Sequence, residues 1–140
     1  MTIVDTNVIS EIMRLSPSDA VRAWFSSNPR SSLFTTTISQ AEILFGIEIM
    51  PIGKRRTAFE REAEITFSVE FAGRILPFDS DAARAFAQIS ASRCLKGRPM
   101  SEFDAQIAAI ARSLGATPAT RNTADFAHCG VDLVNPWEAR

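Results

Sequence analysis

Four carboxylates and two amides stand where a polypeptide of this pattern could do chemistry. Asp5 ends an apolar run, Ile3-Val4, and is followed by Thr6-Asn7. Glu42 falls in the expected first turn of a helix opening at Ser39, and Asp104 in the first turn of one opening at Ser101. Asn122 and Asp125 follow a short β-prone run, Thr117 to Thr120. If three carboxylates converge, their mutual repulsion requires a counter-cation. All-oxygen ligands select a hard ion, Mg²⁺ or Mn²⁺. An acidic magnesium site with no resident His or Lys base suits metal-assisted hydrolysis of a phosphodiester, in which the ion polarises the phosphoryl oxygen and supplies hydroxide at neutral pH.

Each residue also has a purely structural use. Ser39-x-x-Glu42 and Ser101-x-x-Asp104 both fit a capping box. Asp5 suits an Asx turn opening the next helix, and Asp125 a solvated turn. The joint placement is harder to dismiss, because helix caps have no need to gather at one edge of a sheet. Other chemistries find little support. His128 is the only histidine, Cys94 and Cys129 form no paired motif, and neither a P-loop nor a GxGxxG sequence is present.

The elements that must position these groups follow from periodicity. Apolar strands are expected at Thr2–Val4, Leu33–Thr37, Arg74–Phe78, Thr117–Thr120 and Val131–Val134, although Pro118 argues against a full ladder in the fourth. Helices are expected over Val8–Leu15, from Pro17/Asp19 with Val21, Trp24 and Phe25 inward, Ser39–Met50, Lys54–Ala72, Asp79/Ser80 to about Lys96, and Ser101–Leu114. Gly73 and Gly115 stop two of them. Strands alternating with helices predict an α/β fold with a parallel sheet covered on both faces. Ligands in such folds sit beyond the carboxyl ends of the strands.

Composition agrees with one globular domain spanning residues 1–140. Of the 140 residues, 46% are hydrophobic and 22% charged, and the net charge is −1. That balance gives no global basic field for nucleic acid or an acidic membrane. The chain opening shows neither a signal peptide nor a membrane helix, and two distant cysteines suit a reducing compartment, so a cytoplasmic protein is expected.

Four segments then resemble a known family. Ile3-Val4-Asp5-Thr6-Asn7-Val8-Ile9-Ser10-Glu11 resembles the opening motif of PIN-domain ribonucleases, and Ser39-Gln40-Ala41-Glu42-Ile43-x-x-Gly46 their second. Asp104-Ala105-Gln106-Ile107-Ala108-Ala109-Ile110-Ala111 resembles the third, and Thr120-Arg121-Asn122-x-x-Asp125-Phe126 the fourth. The closing Gly130-Val131-x-Leu133-x-Asn135-Pro136-Trp137 is similar to VapC toxins of the FitB-like branch. The resemblance implies an α/β/α sandwich with a five-stranded parallel sheet and a Mg²⁺- or Mn²⁺-dependent endoribonuclease acting as the toxin of a type II toxin–antitoxin system. It implies Asp5, Glu42 and Asp104 as metal-binding carboxylates, with Asn7 and Thr120 in support. The family's fourth acidic position falls on Asn122, an amide here, which puts a second metal in question and makes Asp125 a candidate substitute in catalysis. The implied partners are a small, DNA-binding antitoxin, an RNA substrate and a second copy of the chain.

Two other readings remain. An aspartyl-phosphate phosphatase would use Asp5 as nucleophile, but needs a downstream lysine, and Lys54 and Lys96 lie in poor contexts. A PIN-like module made inactive by Asn122 would act by binding alone.

Overall fold

The computed structural model describes residues 1–138. Strand β1 (Thr2–Val4) leads into helix α1 (Thr6–Ile12), then α2 (Asp19–Ser27) and β2 (Leu33–Thr36). Helices α3 (Thr37–Glu48) and α4 (Lys54–Ile65) precede β3 (Ile75–Leu76), and α5 (Ser80–Leu95) and α6 (Glu102–Leu114) precede β4 (Thr117–Ala119). The strands form a parallel sheet in the order β3-β2-β1-β4.

Side chains alternate across a pleated strand, and β1 shows the consequence. Ile3 packs with Ile89, Ile107, Ile110 and Phe126 on the side of α5 and α6. Val4, one residue on, packs with Val8, Trp24, Ile43 and Phe67 on the side of α1 to α4. Two buried layers flank one sheet, the expected α/β/α arrangement.

The sheet has four strands rather than five. Val131–Val134 was expected to be the fifth and contributes one parallel bridge, Val134 to Ala119. Val134 N–H donates to Pro118 O at 3.1 Å, and Thr120 N–H to Val134 O at 2.9 Å. In a parallel ladder the next rung would need an N–H at residue 118, which proline lacks. The same geometry explains why Pro118 does not disrupt β4 on its other side. There the rungs use Thr117 N–H, donated to Met1 O, and Ala119 O, which accepts from Asp5 N–H. The three residues of β4 therefore pair fully with β1.

The helix expected over Lys54–Ala72 is broken in register. Its α portion ends at Ile65, and Thr66–Glu70 forms a π-helical turn closed by Phe71 N–H donating to Thr66 O at 2.9 Å. That wider turn accompanies burial of both Phe67 and Phe71 against the sheet. Gly115 caps α6 with a left-handed φ of 63°, the conformation in which glycine carries no Cβ penalty.

Candidate active site

The strand order locates the site. The chain runs outward from β1 through β2 to β3, then returns to place β4 on the opposite side of β1. The carboxyl ends of β1 and β4 thus flank a topological switch point, the crevice where open α/β sheets bind ligands. Asp5 follows β1 directly and Thr120 follows β4.

Asp5 is 3% exposed and caps α1, accepting from Val8 N–H at 3.1 Å. The Asx-turn role and a place at the crevice are both realised by this one side chain. Its pKa is raised from 3.8 to about 6, by burial above all and in smaller part by the neighbouring Asp104 charge. Hydrogen bonds from the Thr120 side chain and the Val8 and Asn7 backbones pull the other way. None of these influences comes from a lysine, the group an aspartyl-phosphate enzyme would need there.

Asp104 sits half-buried in the first turn of α6. Its N–H donates to Ser101 Oγ at 3.2 Å, the cap that the spacing predicted. Desolvation raises its pKa, and the Asp125 charge adds to that rise. Asp5, Asp104 and Asp125 therefore form a chain of mutually repelling carboxylates along one edge. Asp125 itself is exposed, in a turn closed by its N–H on Asn122 O at 3.0 Å.

Glu42 requires a correction. It is the sixth residue of α3, beyond the first turn, and closes no capping box. The cap is Thr36, whose hydroxyl accepts from Ser39 N–H at 3.1 Å. Its β-region backbone lets the chain pass from β2 into α3 with no intervening loop. Glu42 is held instead by Thr6, whose hydroxyl donates to its Oε1 at 2.7 Å and stands 3.0 Å from Ser39 Oγ. Thr6 neighbours Asp5 in sequence, so this bond ties α3 to the β1 end. Thr6 and buried Ser39 are site-building residues that sequence reasoning passed over. The signal was present, since both lie inside the first two motifs.

The supporting residues divide. Thr120 is fully buried, acts on Asp5 and accepts Asn122 N–H at 3.0 Å. Asn7 and Asn122 carry exposed side chains and engage the site through their backbone N–H groups. Glu11, inside the first motif, has a structural task. Buried, it accepts from Ser18 N–H at 3.0 Å and from Arg14, and these contacts hold its carboxyl below the usual range. Among the described residues, no three His, Cys, Asp or Glu side chains close into a ready-made metal cage. The donors at the edge are nevertheless all oxygen and mutually repulsive, the chemistry that suits a hard divalent cation.

Carboxylates gathered at the switch point of a parallel α/β/α sheet define the class, and the sequence comparisons name it. The chain belongs to the PIN-domain family, whose description matches residues 2–131. It is 42% identical to VapC ribonuclease Y4jK of Sinorhizobium fredii over 138 residues, 99% of each chain. It is 36% identical to Toxin FitB of Neisseria gonorrhoeae, covering 98% of this chain and 99% of that one. Among solved structures, FitAB bound to an IR36 DNA fragment superposes with a TM-score of 0.92 at 36% identity, over 100% of this chain and 98% of that chain.

Proposed function

We propose that this protein is a metal-dependent endoribonuclease and the toxin of a toxin–antitoxin pair. The observation that carries the reading is the line of carboxylates Asp5, Asp104 and Asp125 at the crevice, with Glu42 fastened beside it by Thr6. Asp5, Glu42 and Asp104 would hold Mg²⁺ or Mn²⁺. That ion would polarise the scissile phosphoryl group and lower the pKa of a bound water. Thr120 and the α1 backbone fix the Asp5 carboxylate, and Ser101 fixes the start of α6 beneath Asp104. Asp125, whose charge acts on Asp104, would orient a proton or a water on the outer side.

Asn122 sets the number of ions. An amide oxygen can ligate but brings no charge, so one tight site is expected without RNA. Calorimetric titration of the wild type with Mn²⁺ should give a single strong site, and Asn122→Asp should add or tighten a second. Two equally tight sites in the wild type would contradict this.

The inhibitor reading starts from the same acidity. An arginine of a partner segment would neutralise Asp5, Glu42 and Asp104 through charge-assisted, bidentate bonds. Beside Glu42 lies a cavity of about 260 Å³ lined by Thr6, Met13, Ile43, Gly46, Ile47 and Phe59, which suits an apolar anchor on that segment. FitB, the relative named above as a toxin, has its counterpart in the DNA-bound FitAB assembly. By the same logic this chain's partner would be a small DNA-binding protein. Of the apolar-rich stretches Ser18–Phe25 and Ser39–Phe71, from which a dimer surface would be drawn, the first turns Val21 and Trp24 into this chain's own core. Phe45 on α3 and Ile49 just past its end are 65% and 67% exposed and offer the surface for a second copy. Expressed with the small open reading frame beside its gene, the protein should co-purify in a complex holding two copies of this chain and cut RNA far more slowly than the free enzyme. Absence of a complex, or undiminished cleavage by it, would contradict the pairing.

A further inference from the structure

We infer that Arg93 is a positioning residue for the acidic site, resting on the ribonuclease reading above. Arg93 is 7% exposed, near the end of α5, on the far side of the loop that opens α6. Its guanidinium spans two segments. Nε donates to Arg98 O at 2.7 Å, and Nη1 donates to Asp125 O at 3.0 Å and Ala127 O at 2.7 Å. Arg98 belongs to the loop that ends three residues later at Ser101, the cap of α6 and of Asp104. Asp125 and Ala127 belong to the turn that follows β4. One buried fork thus joins the backbone that sets Asp104 to the backbone that carries Asp125.

The site needs such a tie. Asp104 and Asp125 repel each other, and Asp125 is exposed in a turn with only local backbone bonds around it. Phe126, fully buried beside Ile107 and Ile110, anchors that turn in the core, and Arg93 fixes the backbone on either side of it against the repulsion. A guanidinium can satisfy three carbonyls in a fixed fork, whereas a lysine ammonium is a single point with different reach. Among the described residues Arg93 is in no ion pair with a carboxylate, so its bonding capacity goes to these carbonyls. A second contact stitches the same two segments, Cys129 Sγ to Met100 Sδ at 3.3 Å. The fork therefore sets the separation of Asp104 and Asp125 without touching substrate. Displacements near 1 Å at a reacting centre cost rates of about a hundredfold.

The experiment compares wild type, Arg93→Lys and Arg93→Ala for melting temperature, RNA cleavage and direct Mn²⁺ binding. Arg93→Lys keeps the charge and most of the volume but loses the fork. It should fold and melt within a few degrees of wild type, yet show kcat lowered about tenfold to a hundredfold with KM for RNA little changed. Its Mn²⁺ concentration for half-maximal rate should rise. Guanidinium ion at low millimolar concentration should restore part of the activity of Arg93→Ala, because it refills the vacated fork. Wild-type kcat and Mn²⁺ dependence in a folded Arg93→Lys protein would overturn the positioning role while leaving the ribonuclease reading standing. A wild type that neither binds Mn²⁺ nor cuts RNA would overturn that reading, and the role of Arg93 with it.

Discussion

Replacing Asp5 by Asn is expected to lower RNA cleavage by at least about a thousandfold while leaving the fold intact. Asparagine caps helices about as well as aspartate, so the bond from Val8 N–H to the side chain survives and α1 keeps its start. What disappears is the buried charge. Loss of a metal-binding carboxylate removes several kcal/mol of transition-state stabilisation, and each 1.36 kcal/mol is a factor of ten in rate. The metal-free variant should also melt no lower than wild type, because the repulsion between Asp5 and Asp104 is gone. Cleavage assays and thermal melts on the same preparation decide it. An active Asp5→Asn protein would remove Asp5 from the site, and a collapsed one would make its role structural.

Stability of the metal-free wild type should fall as pH rises through the range in which folded Asp5 ionises. The pKa of Asp5 is raised in the folded state, from 3.8 to about 6. Below 3.8 both states are protonated and the favourable contribution is fully present. Between 3.8 and 6 the unfolded chain has released its proton and the folded chain still holds it, so stability drops with rising pH, and above 6 the loss is complete. At 1.36 kcal/mol per pH unit this is about 3 kcal/mol. Asp104 is shifted in the same direction and adds to the slope. Melting curves between pH 4 and pH 8 should show the decline in chelator, a shallower one in Asp5→Asn, and little of it in saturating Mn²⁺, since an ion that binds only the folded state stabilises it by mass action. A flat profile in chelator would mean that Asp5 is not held ionised at a cost.

Much of this site was legible because its local signals are short-range. Ile3-Val4-Asp5 gives a strand and its exit without reference to the rest of the chain, and Ser101 and Gly115 mark both ends of α6. The errors arose where a local signal had two solutions that only tertiary structure separates. Ser39-x-x-Glu42 satisfies the capping-box pattern, but Thr36 sits at the strand end and takes the cap first, which frees Glu42 to face Thr6. Pro118 does lack a donor, but the missing N–H points to the outer edge, so the proline costs the sheet a fifth strand and leaves β4 intact. Phe67 and Phe71 follow a helical spacing that does not distinguish an α from a π turn. Arg93 was invisible because its partners are backbone carbonyls far along the chain, which leave no mark on residue type.

The most direct measurement is RNA cleavage by the purified, partner-free wild-type protein as Mn²⁺ or Mg²⁺ is titrated into a chelated sample, with Asp5→Asn prepared in parallel. A metal-dependent ribonuclease built on Asp5, Glu42 and Asp104 predicts no cleavage in chelator, a saturable rise with added metal, and internal cuts absent from the variant. Cleavage that persists in chelator, or that the variant matches at every metal concentration, would contradict it.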